Sequence, residues 1–546
     1  KGRICGWDIR TKSRGADVAT MRYKRITYIL FLGLICQFQL NAQSKNWSKA
    51  QKNTYWEAES YYIYGDFATA LDLFSELTDK DKAFKELDFY IGHCHFQLED
   101  YQNAKSFLKE GSAFNSDAHF YLARIYLMEE QLKEASNSIE RFKKMREKDQ
   151  STISEVHISI IEKNIITAQY YLSDPEVVNI VNLGSAVNTE NDEYVPLLTS
   201  DENTLIFTSR RMHEDNLLDP TNRPYEDVYI AKREHGTFKT DASLLNGYVN
   251  TPLNDASVGL SADGNRLFLF RTNENLIGGD LYESLFYDSV WTTPVRLPAQ
   301  INGLNTIERS ASISLDGNTL YFSSNRPEGF GGFDIYKVER LPTGDWSLPI
   351  NLGVNINTAG DEDSPYIHPN GKSLYFSSTR HENMGGFDVF VSEKTENSWT
   401  VPQNMRYPTN TTRDDIHFMI SANEQHGYYA SDKKGGFGRH DLYMIDYLER
   451  ELRQSVIQAR TLVEHSDSAV AADVSVLELE FGEMDGVYLS HPRTGKFIYL
   501  VNPNVEYEVL IEAEGFEPFT VIEQFTTEEL MQEQKRTYYL QKATIE

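Results

Sequence analysis

The feature that most constrains this chain is a tripeptide that recurs five times at nearly constant spacing. Asp227, Asp280, Asp334, Asp388 and Asp441 each open an Asp-x-Tyr, or once Asp-x-Phe, segment, at intervals of 53, 54, 54 and 53 residues. Ahead of each stands a turn followed by an aromatic strand: SDENTLIFTSR, SADGNRLFLFR, SLDGNTLYFSSNR, HPNGKSLYFSSTR and SANEQHGYYASDK. Asp-Gly and Asn-Gly supply the positive φ of a tight hairpin, and the alternation of large apolar and small polar residues suits strands buried on one face. Trp291, Trp346 and Trp399, with Phe238 in the equivalent place, mark a further short strand. Units of about four strands at a period near 50 cover their faces only by stacking on one another, which is the logic of a β-propeller. Only four outer strands lie between the five hairpins. The stretch Ile180 to Tyr194 mirrors Pro349 to Tyr366, so an upstream strand is expected to complete the last of five blades and close the ring without a free edge.

Residues 50–145 repeat differently, at helical-hairpin spacing. Ala58, Tyr61, Gly65, Ala70 and Phe74 form a first set; Ile91, Gly92, Tyr101, Ala104 and Leu108 a second; Leu122, Ala123, Tyr126, Ala135 and Ile139 a third. Small residues let the two helices of a hairpin approach, and large ones fill the space between hairpins. This pattern resembles tetratricopeptide repeats; an unrelated helical bundle is the alternative. Residues 151–172 read as a closing helix. From about Arg453 the strands VSVLELEF, GVYLSHPRTGKFIYLV and EYEVLIEAEGFEPFTVIEQF suggest a small antiparallel β-sandwich. The order of Thr494 to Phe497, Tyr507 and Ala513 to Phe516 resembles the carboxypeptidase regulatory-like domain.

Near its start the chain is basic, then apolar from Ile26 to Cys36, then Asn41-Ala42, the pattern of a secretory signal peptide. The expected organisation is residues 1–20 as upstream sequence, 21–42 as signal peptide, 43–173 as helical repeats, 174–447 as a five-bladed propeller and 452–546 as a sandwich. Beyond the signal only Cys94 remains, so no disulfide framework is expected. Lys+Arg number 53 against Asp+Glu 81, a formal net charge of −28, which repels phosphate backbones and argues against nucleic-acid binding.

No nucleophile elbow, zinc helix, phosphate loop or dinucleotide fingerprint is present, and neither a catalytic residue, a metal nor a cofactor is expected. Cys94 lies between His93 and His95, but adjacent helical residues diverge and do not converge on one ion. Eight residues before each hairpin turn stands a carboxylate: Glu193, Asp255, Glu308, Glu362 and Asp415. These five are expected to ring one mouth of the channel, either as a cation or ligand site or as inter-blade salt bridges with Arg211, Arg326, Arg380 and Lys433. The Asp of each Asp-x-Tyr is expected to cap the turn into its strand, and the Gly-Gly-Phe segments at Gly331 and Gly385 flank strands, not a helix N-terminus. In the tetratricopeptide frame the inner-face positions fall on Tyr55, Glu59, Tyr62, Phe89, His93, Phe96, Phe120, Arg124 and Leu127. They offer a groove for a peptide or a partner helix, or else they are buried.

The order signal peptide, helical repeats, TolB-like or WD40-like propeller and regulatory-like sandwich resembles the PorE-like periplasmic subunits of the type IX secretion and gliding machinery. The blade motif YFSSNR followed by GGFDIY is the most specific part of the likeness. Members of that family continue into an OmpA-like, peptidoglycan-gripping domain that is not found here, so contact with peptidoglycan is doubtful. The resemblance implies a non-enzymatic scaffold, periplasmic and associated with the outer membrane, whose partners are outer-membrane secretion components. The alternatives are a propeller that binds or hydrolyses a carbohydrate or peptide in its channel, and a TolB-like envelope-integrity protein.

Overall fold

The computed structural model describes residues 47–543 apart from 81–86, 150, 215, 220–222, 235, 239–240, 274–277, 380–381, 449 and 481. The expected signal peptide, with Cys36, therefore lies outside the described residues. The described residues form two compact units, divided between Tyr121 and Leu122. A helical N-terminal region is followed by a propeller-like β domain.

The first unit begins with α1 (Lys49–Ile63), fixed at its start by a reciprocal cap in which Ser48 Oγ accepts the Gln51 amide and Gln51 Oε1 accepts that of Ser48. Then come α2 (Phe67–Lys80), α3 (Leu87–Gln97) and α4 (Tyr101–Gly111). Close approach explains the small residues: a Cβ on Gly92 would lie 2.8 Å from the Leu108 amide nitrogen, and one on Gly111 2.6 Å from that of Phe89. Ala58, Ala70, Phe74 and Leu87 are wholly buried in the core of these helices. α5 (Asp117–Met128) spans the boundary between the units, and α6 (Leu132–Asp149) and α7 (Glu155–Ser173) belong to the second.

In the second unit five antiparallel sheets share one plan. Each begins with an inner strand (Glu193–Leu198, Asp255–Leu260, Glu308–Ile313, Glu362–Ile367 or Asp415–Ile420) and proceeds outward through the aromatic second strand to the strand opened by the repeated Asp. Each inner strand contacts the next, and the fifth contacts the first, so the sheets close a ring. Phe207, Leu269, Phe322, Phe376 and Tyr429 are buried at the same point of each second strand, opposite the aromatic residue of the third. The outer strand of the last sheet comes from upstream: Asn179–Asn182 pairs antiparallel with the strand Asp441–Asp446. That pairing covers an edge that would otherwise be open.

An Asn supplies a second, subtler repeat. Asn188, Asn250, Asn302, Asn357 and Asn410 each bond both the amide and the carbonyl of one third-strand residue: Leu442, Val228, Leu281, Ile335 and Val389. A side-chain amide carries a donor and an acceptor side by side, so it substitutes for a strand where the chain passes between sheets.

The last residues form two further sheets over one core of Ile457, Val474, Tyr499, Tyr507, Val509 and Ile511. They are not purely antiparallel as expected, because Ser455–Val463 pairs parallel with Gln534–Leu540. No helix among the described residues is long and apolar enough to cross a membrane.

Candidate functional site

The five expected ring carboxylates are all at 0 % exposure, and none lines the central channel. Their oxygens turn back into the protein. Glu193 accepts bonds from the Thr189 amide and hydroxyl and from Ser209 Oγ; Glu362 does the same with Thr358 and Ser378. Asp255 takes the Thr251 hydroxyl at 2.6 Å and Arg271 Nε at 2.5 Å. Glu308 takes Thr306 and Ser324 hydroxyls at 2.7 and 2.6 Å and Arg326 Nη2 at 3.2 Å. Asp415 takes the Thr411 amide at 2.6 Å and hydroxyl at 2.9 Å. Burial pushes the carboxyls of Glu193, Asp255, Glu362 and Asp415 up, against the pull of these donors. The channel-mouth ring is thus corrected to five buried clamps. The ion pairs that accompany three of them stay within one sheet, not between neighbouring blades: Arg271 lies in its second strand, and Arg211 and Arg326 stand two residues beyond theirs. Arg380 lies outside the described residues.

Neighbouring sheets are tied instead by the carboxylate one position earlier. Asp361 Oδ1 accepts the Phe333 amide at 2.9 Å and Asp414 Oδ1 that of Phe387 at 2.8 Å. The Gly-Gly pairs permit this seam: a Cβ on Gly331 would lie 1.9 Å from the Gly360 carbonyl oxygen, and one on Gly386 1.9 Å from Asp414 Oδ1. The repeated Asp holds the same loop from below, with Asp334 accepting the amides of Phe330 and Gly331 and Asp441 those of Phe437 and Gly438.

The channel itself is walled by the inner strands. It holds a pocket bounded by residues that include Val195, Val258, Ile313, Ser364, Tyr366, His417 and Met419. Three of these, Val195, Ser364 and His417, have φ of 54°, 51° and 55°, the left-handed region, at the bulges of their strands. Bulges with left-handed residues re-aim side chains, and such backbone concentrates at functional sites. Ser364 Oγ and His417 Nδ1 are hydrogen-bonded at 2.8 Å across two adjacent inner strands. Asp363, beside Ser364, pairs with Arg309 at 2.7 Å and accepts a bond from Ser310 Oγ. Tyr194 stacks near His417, their ring centroids 6.0 Å apart and planes inclined by 24°. Burial lowers the His417 imidazole to about 4, the nearby Asp363 opposing the shift, so at neutral pH this ring is uncharged. None of these residues was expected to belong to a site. The available signal was their shared phase, since Ser364 and His417 each stand two residues after a clamp carboxylate.

The expected groove residues are packed inside the helical region instead of displayed. Tyr55, Phe89, His93, Phe96 and Phe120 are buried; Tyr62 and Glu59 are half-buried and Arg124 exposed. Aromatic rings of α1 and α3 meet edge to face, as Tyr62 does with Tyr90 at 5.3 Å, and this contact consumes the surface that a ligand would need. Tyr62 also bonds His93 Nδ1, while His95 faces Asp100 at 3.0 Å. Cys94 between them is buried, and burial pushes its thiol up to about 12.

No family model and no curated protein sequence matches the chain. Among solved structures it is similar to an α-L-arabinanase of Penicillium chrysogenum complexed with arabinobiose, at 13% identity over 50% of this chain and 99% of that one, TM-score 0.31. It is similar too to the β-propeller domain of the Trilobed protease from Pyrococcus furiosus, at 10% identity over 62% and 95%, TM-score 0.24. A structure from an analysis of two prolyl endopeptidases gives 10% identity over 68% and 56%, TM-score 0.26. The expectation that the chain is not an enzyme is corrected by this comparison, in which glycoside hydrolases and prolyl endopeptidases recur. Likenesses of this size assign the chain no activity of its own.

Proposed function

We propose that this chain is a five-bladed propeller protein, with a terminal β-sandwich, that engages a carbohydrate or peptide ligand in its central channel. The observation that carries the reading is the Ser364–His417 pair, two polar side chains held on left-handed backbone in the channel wall. Polar groups placed in an otherwise apolar concave site are what orients a ligand. The test is to replace Ser364 and His417 with Ala and Gln and to follow binding and cleavage of defined glycans and peptides. Weaker binding or cleavage on substitution is the expected result; retention of every interaction at full strength would remove the channel from consideration.

The proposal also places the chain in the periplasm beside outer-membrane secretion components, as the PorE-like resemblance implies. The basic-then-apolar start and the blade motifs support that placement. Cross-linking in the native envelope, followed by identification of captured proteins, tests it, and recovery of the chain alone would sink it.

A further inference from the structure

We infer that the channel's occupant is a peptide that inserts an aliphatic or aromatic side chain, a conclusion that rests on the channel-binding reading above and narrows it. The space is walled chiefly by Val195, Leu197, Val258, Ile313, Tyr366 and Met419, drawn from all five inner strands. At the hairpin-turn end Val456 of the terminal sheet joins the wall, and Leu315 packs against that sheet's core.

The polar side chains in the wall bear on the choice between sugar and peptide, because most of them already have partners within the protein. Thr199 Oγ1 donates to Asp201 at 2.6 Å, Ser421 Oγ to Asn423 at 2.7 Å and the Tyr366 hydroxyl to the Ile420 carbonyl at 2.8 Å. Ser312 Oγ accepts the Ile367 amide at 3.1 Å. Glu202 is held by His426 and Tyr428. A sugar brings several hydroxyls, and each one buried without a partner loses its bonds to water with no replacement. An apolar side chain loses nothing there and gains the burial of its surface.

The Ser364–His417 pair then meets the backbone of the same ligand. Uncharged in the ring and able to donate or accept, the pair matches a neutral peptide amide. A fatty acyl chain would fill the apolar part but leave this pair unused, and it offers no amide.

The test uses the full chain, immobilised, against three probes: a displayed random heptapeptide library, a glycan array and dodecanoate. A blocking variant, Ala262→Trp, places a large ring at the half-buried rim of the same space. Peptides enriched in Leu, Ile or Phe, weakened about tenfold or more by Ala262→Trp and less by Ser364→Ala, are the expected result. Glycan or dodecanoate binding that Ala262→Trp abolishes, without peptide binding, would overturn the peptide assignment and leave channel binding standing. Binding of any probe that neither variant alters, or no binding at all, would overturn both. Should Ala262→Trp lose its cooperative melt, Leu260→Trp in the same wall serves in its place.

Discussion

Ser364 Oγ lies 2.8 Å from His417 Nδ1, a hydrogen bond that spans exactly one blade period of 53 residues in the chain and one step around the channel. Equal phase also brings Ser310 to Ser364 one junction earlier, where Ser310 Oγ accepts the Ser364 amide at 3.0 Å.

Acid should weaken the fold through this pair. Burial holds the His417 imidazole at about 4, below the ordinary value of about 6.5, so the unfolded chain takes up the proton more readily. The stability contributed by neutral His417 is complete above about pH 6.5 and is lost as pH falls toward about 4. Melting temperatures of wild type and His417→Gln, followed from pH 4 to 8, should differ in wild type's favour at neutral pH and converge on acidification. A gap independent of pH would show that this ring does not titrate as described.

Removing a clamp should cost stability and spare the channel. Glu308→Ala leaves Thr306, Ser324 and Arg326 without their shared acceptor, a loss of about 2–4 kcal/mol for a buried charged network. Urea unfolding measures it. Affinity for a channel ligand should stay within about twofold, whereas a stable variant that no longer binds would return the carboxylate to the site.

The asparagine bridges predict a second stability effect. Asn357→Leu removes both bonds to Ile335 and strands an amide and a carbonyl in the interior, at about 2–4 kcal/mol. Chemical denaturation against wild type should show it, and a neutral outcome would mean that the neighbouring loop supplies other partners.

Glycine at the seam between sheets is required for space. Gly331→Ala would drive a methyl group to 1.9 Å from the Gly360 oxygen, while at Gly344, with φ of 86°, nothing lies within 4 Å. Gly344→Ala should therefore lower stability by only about 1 kcal/mol, from backbone strain. Gly331→Ala should be several times worse. Equal melting temperatures for the two variants would contradict the tight seam.

Ring closure should be breakable at one strand. Val181 pairs with Met444, and Val181→Pro introduces a residue without an amide hydrogen and with a fixed φ into that strand. Limited proteolysis should then cut first between residues 426 and 446. An unchanged pattern would show that the upstream strand is dispensable.

Much of the architecture was legible because repetition is a property of sequence. Turn residues, aromatic strands and the repeated Asp return every 53 or 54 positions, and the helical hairpins announce themselves by Ala58, Ala70 and Ala104, each buried where backbones approach. A period fixes which residues are equivalent, and equivalent residues receive equivalent places. It does not fix which way their side chains face. Glu308 and Glu362 read as a ring of charge, yet the turn preceding each strand supplies a Thr that draws the carboxylate inward. Phe89 and His93 read as groove residues, yet neighbouring helices cover them. The channel pair at Ser364 and His417 depends on bulged, left-handed backbone and on a distance between strands that only closure of the ring sets. Local pattern determines the units and their order, because short-range sterics and burial act within each unit; the site belongs to the tertiary structure, because it exists only between them.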